Sequence, residues 1–104
     1  MSERSDVKIT VLRRFSPSEV FETLPATKPR PVGKCERFKD GQEFIIGKDG
    51  KIPDDFCISA LLSIYKNVEM LSFGGNIPWF TEKNVIITPC PDGLRPVIFK
   101  LERI

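Results

Sequence analysis

The sequence predicts an α+β fold, a small and mostly antiparallel sheet with one main helix packed on one face. Three observations carry that expectation. Val7, Ile9 and Val11 alternate with Lys8, Thr10 and Leu12, the period of two that turns one side of a strand into a core. Residues 85–88 and 97–101 are β-branched and aromatic runs separated by Pro89-Cys90-Pro91-Asp92-Gly93, the pattern of a hairpin. Cys57, Ala60, Leu61, Ile64, Tyr65 and Val68 recur at helical spacing on one face.

Each element follows in chain order. The first strand is read over 7–14. Ser16-Pro17-Ser18-Glu19 then supplies an N-cap, a proline suited to the first helical position and a glutamate three residues on, a capping box that opens a short helical turn. Residues 24–39 hold Pro25, Pro29 and Pro31 among Lys28, Arg30, Lys34, Arg37 and Lys39, so they form an extended, Pro-rich basic loop. A second strand is read over about 42–47, closed by the turn signal Asp49-Gly50. Asp54 and Asp55 are N-cap candidates for a helix over about 56–67. Glu69 to Phe73 continues that helix or starts a strand, and Gly74-Gly75 ends either. The closing hairpin is expected at the centre of a sheet of four or five strands, because Ile86, Ile87, Ile98 and Phe99 put apolar groups on both of its faces.

A chain of 104 residues has room for one hydrophobic core, so 1–104 is read as a single domain. Eight Phe, one Trp and one Tyr are enough to fill it. Sixteen basic and 14 acidic residues leave a net charge of +2, too little to gather nucleic acid or anionic lipid by bulk electrostatics. The start, Met1-Ser2-Glu3-Arg4, is charged where a signal peptide would turn apolar, and nothing approaches the roughly 18 apolar residues of a membrane span. The expected location is cytoplasmic. Three cysteines at wide spacings do not describe a secreted disulfide framework. The chain has no His, which removes Ser-His-Asp, Cys-His and imidazole acid–base catalysis from its own repertoire.

Two stretches, Phe73-Gly74-Gly75-Asn76-Ile77-Pro78-Trp79 and Cys90-Pro91-Asp92-Gly93-Leu94-Arg95-Pro96-Val97-Ile98-Phe99-Lys100-Leu101-Glu102-Arg103, resemble a family of short prokaryotic proteins with no assigned activity. The resemblance runs end to end and includes Cys35 with Phe38, Gly41 with Phe44, and Phe56-Cys57. It implies that all three cysteines stand at family positions. Where that family carries Trp residues inside the helix, this chain has Ser59 and Leu61. No activity follows from it.

Two candidate sites emerge. Arg95, held between Leu94 and Pro96, the Gly74-Gly75-Asn76 turn, whose backbone N–H groups can form an anion nest, and Trp79 are read as a pocket for a small anionic ligand or a protein partner. Each also has a plainer reading: an internal ion pair for Arg95, an ordinary turn for the glycines, core filling for Trp79. Cys35, Cys57 and Cys90 are read as ligands to a transition metal or as redox thiols, set against three buried core cysteines. All three are expected at element ends, where the helix start and the hairpin end can converge with Cys35 arriving on the basic loop. The reading thus divides between a non-catalytic binding module and a thiolate metal or redox protein. Assembly with copies of the chain is left open.

Overall fold

The computed structural model describes residues 4–104; the charged start at residues 1–3 lies outside them. The order of elements is β1 (Val7–Arg14), α1 (Pro17–Val20), β2 (Glu43–Ile46), α2 (Ile58–Ser72), β3 (Val85–Pro89) and β4 (Val97–Arg103). Every strand pair is antiparallel, and the sheet order is β2-β1-β4-β3. The α+β expectation therefore holds, with one adjustment. Only β4 of the hairpin is central, while β3 is an edge strand whose Ile87 is exposed.

One face of the sheet is dry. Val7, Ile9, Val11, Phe44, Ile46, Ile86, Val97, Phe99 and Leu101 turn inward and meet Ala60, Leu61, Ile64, Val68 and Leu71 of α2. Each of these larger side chains contributes about 1.5–3 kcal/mol on leaving water. The opposite face is a ladder of charges, in which Lys8 stands 3.7 Å from Glu43 and 3.8 Å from Glu102, and Lys100 stands 3.9 Å from Glu102. Apolar residues on both sides of the hairpin thus do not require both faces to be covered.

Four rings thicken the core at one end. Phe38 packs edge-on against Phe44, Phe56 and Phe99, with centroids 5.9, 5.3 and 5.2 Å away, and Phe44 meets Phe56 at 4.9 Å. Phe38 belongs to the basic loop, yet it is only 2% exposed, so the end of that loop is tied into the core. Phe56 has a similar effect on α2. Its burial turns the chain inward after Asp54 and Asp55, whose turn is closed by the Phe56 N–H donating to Pro53 O, and the N-cap falls on Cys57 instead of either aspartate.

α2 runs through to Ser72, which settles the ambiguity at 69–73 in favour of helix. Beyond it the Gly74 N–H donates to Leu71 O and the Gly75 N–H to Met70 O, the paired bonds of a Schellman cap. Gly74 takes φ +89°, which a side chain would oppose. The short α1 forms as read: the Glu19 carboxylate accepts from the Ser16 N–H at 2.9 Å and from the Ser16 hydroxyl at 3.0 Å. No helix among the described residues is long and apolar enough to cross a membrane.

Candidate functional site

A β-bulge sets the site's geometry. Val11 lies opposite Phe99 but Arg13 lies opposite Ile98, so Leu12 is an extra residue and the alternation of β1 reverses beyond it. Arg14 consequently faces Val97 and shares the inner face with it. There its guanidinium donates to Cys35 O at 2.8 Å and to Asp40 Oδ1 at 3.0 Å. The Arg14 hydrogen bond, aided by the Arg14 charge, holds the Asp40 carboxyl below its ordinary value against the opposing effect of burial. This pair fixes the stretch of loop that carries Cys35, Arg37 and Phe38.

The loop closes a cavity of about 320 Å³ against the start of α2 and the end of the hairpin. Cys35, Arg37 and Phe38 line it from the loop, Cys57, Ser59 and Ala60 from the helix start, and Cys90, Pro91, Asp92, Arg95 and Val97 from the hairpin. All three cysteines of the chain therefore share one cavity, each half-buried and none in a disulfide. The Val97 N–H donates to Cys90 Sγ at 3.3 Å and orients that sulfur, while the Cys90 N–H donates to Val97 O.

Asp92 organises the hairpin turn. Its Oδ1 accepts from the N–H groups of Leu94 and Arg95 at 3.0 and 3.3 Å, and its Oδ2 stands 3.6 Å from Lys28 Nζ and 3.7 Å from Arg95 Nε. Burial pushes the Asp92 carboxyl up, but the Leu94 and Arg95 N–H groups, then the Lys28 and Arg95 charges, outweigh it and leave it below its ordinary value. Arg95 thus has an internal partner. Arg37 takes part in none of the ion pairs among the described residues.

The expected grouping of Arg95 with Gly74, Gly75, Asn76 and Trp79 does not form. Arg95 lies beside the N-terminal end of α2 and the glycine turn follows its C-terminal end, about 22 Å away along a 15-residue helix. The turn is no anion nest, because the Gly74 and Gly75 N–H groups are committed to the helix carbonyls. Its acceptors meet a cation instead: Arg103 donates to Gly75 O at 2.7 Å and to Asn76 Oδ1 at 2.9 Å. Trp79 does not fill the core; it is 79% exposed.

The cysteines converge as the element-end argument required, but not as a metal centre. Among the described residues no group of three or more Cys, Asp or Glu is arranged to hold a metal ion. A thiolate site with bonds of about 2.3 Å draws its sulfurs into mutual contact. Here they are distributed around a wall shared with eight other residues. Sequence reasoning missed Arg37, Ser59 and Asp92 as members of the site, and Arg14 as the residue that positions it. The one local hint was Phe38, an aromatic in a charged loop. Comparison with family models, curated proteins and solved structures finds no match for this chain.

Proposed function

We propose that this chain is a non-catalytic binding module for a small anionic ligand held at the N-terminal end of α2. The observation that carries the reading is the clustering of Arg37 and Arg95 on one cavity with the first turn of the helix. The cavity wall carries two guanidinium groups, Arg37 and Arg95, against the single carboxylate of Asp92, which Lys28 also approaches. Two guanidinium forks favour a carboxylate or phosphate with oxygens to accept several N–H groups. The first-turn amides of α2 add partial positive charge, and Cys57 makes no side-chain cap to them. A volume of about 320 Å³ suits a small molecule.

The test is calorimetric titration of the full chain with inorganic phosphate and with succinate. Saturable binding that weakens by about tenfold, or about 1.4 kcal/mol, in Arg95→Ala and in Arg37→Ala is the expected result. Lys66→Ala, on the exposed face of α2, should leave it unchanged. Absence of saturable binding to either anion, or equal binding in all variants, would overturn the reading.

A partner-chain surface is the second reading, and a separate observation favours it. Ile58 and Leu62, one helical turn apart on α2, are 66% and 76% exposed. Sedimentation equilibrium of the wild type and of Leu62→Lys tests self-association through this face: a monomer at every concentration would remove it.

A further inference from the structure

We propose that the cavity also exchanges thiols with small anionic disulfides, forming a mixed disulfide at Cys57. The inference rests on the anion-binding reading above and names the ligand class more closely. Its ground is the juxtaposition of soft nucleophiles and hard anion-binding groups in one cavity. The chain has only three cysteines, at 35, 57 and 90, carried by a loop, a helix start and a hairpin end. The fold places all three on the wall that also carries Arg37 and Arg95. A core role explains buried sulfur. All three here pack against the hydrophobic core, yet each stays half-exposed and outside any disulfide, beside two guanidinium groups.

Cys57 is the attacking residue for two reasons. It is the N-cap of a 15-residue helix and lines the cavity together with Arg37 and Arg95. Cys90 Sγ is held to the hairpin by the Val97 N–H, whereas the Cys57 side chain makes no cap bond that restrains it. Asp54 and Asp55, in the turn before the helix, oppose the dipole, but both are exposed and well solvated.

The step balances. The Cys57 thiol gives its proton to solvent, and the thiolate attacks one sulfur of the disulfide RS–SR. The S–S bond breaks, a Cys57–S–S–R bond forms, and RS⁻ leaves and is protonated from solvent. The protein thiol is oxidised and one half of the small disulfide is reduced, so no other oxidant is needed. Arg37 and Arg95 hold the ligand's carboxylates while sulfur meets sulfur.

The experiment compares glutathione disulfide, which is anionic at neutral pH, with cystamine, which is cationic, by intact-mass kinetics on the full chain and peptide mapping of the adduct. At low salt glutathione disulfide is expected to react about tenfold faster, because steering by local charge changes association rates by 10 to 10³. The preference should shrink in high salt and in Arg95→Ala or Arg37→Ala, with the adduct on Cys57. An adduct on Cys35 or Cys90, or cystamine reacting as fast as glutathione disulfide, would overturn the proposal. Because mapping uses the wild-type chain, a misfolded Cys57→Ser does not blunt the test. If phosphate binds in the titration but no adduct forms, the thiol inference alone fails. If phosphate does not bind and the adduct shows no charge preference, the anion reading fails with it.

Discussion

Phe38 carries more of the fold than its place in a charged loop suggests. Truncating a buried aromatic costs about 3–5 kcal/mol, so Phe38→Ala should lower the urea midpoint sharply. It should also release the loop that carries Cys35, which faster labelling of Cys35 by a chromogenic disulfide would report. Asp92 acts through its oxygens as well as its charge. Asp92→Ala loses two backbone hydrogen bonds and should cost about 1–2 kcal/mol in chemical denaturation, whereas Asp92→Asn, which keeps an acceptor at Oδ1, should recover most of that. Equal losses in the two variants would mean that the ion pairs, not the turn bonds, carry the effect.

The two ends of α2 are treated differently by the rest of the molecule. Its last turn contains no basic residue, yet its C-terminal end receives two cations from elsewhere. Arg103 donates to Leu71 O and Gly75 O, and Arg4 donates to the buried Ser72 hydroxyl and lies 4.7 Å from the Phe73 ring centre. These guanidinium groups complement the negative end of the helix dipole. Replacing Arg103 with Leu should therefore cost about 1.5–3 kcal/mol and speed amide exchange in the last turn of α2. Gly74→Ala should cost about 1–2 kcal/mol from its left-handed φ alone, since no atom lies within 4 Å of an added Cβ. Gly33→Ala, equally open and without that φ, is the control and should change stability little.

At the scale of the molecule, which measures 50 × 31 × 20 Å, the loop between α1 and β2 frames a second hollow of about 540 Å³ over α1. The carboxylates that secure this region govern the response to acid. Glu19 is held below its ordinary value of 4.5 by the Ser16 N–H and hydroxyl, Asp40 below 3.8 by Arg14, and Asp92 below 3.8 by its turn. A lowered carboxyl contributes stability that is present above its unfolded value and lost as pH falls through its folded one. With no His in the chain, thermal midpoints should stay level from about pH 7 to pH 5 and fall below about pH 4. A step between pH 5 and pH 7 would contradict this account. Asp40→Asn should flatten the acid slope.

The periodicities of the chain determined its elements. Alternation at 7–11, the capping box at Ser16 and Glu19, the stripe from Ala60 to Val68 and the glycines after Phe73 all appear where their local chemistry puts them, because each depends on residues within a few positions. Sheet order and the site depended on contacts that no local pattern encodes. The bulge at Leu12 exists only in the register between β1 and β4, and it alone decides that Arg14 points inward to Cys35. Burial of Phe38 decides that a basic loop ends in the core, and with it that Cys35 joins Cys57 and Cys90. Arg95 and the glycine turn, both conspicuous in the sequence, were separated by the length of the helix between them. Pairing between positions so far apart along the chain is set by which apolar faces must be buried together, and only the folded chain resolves that competition.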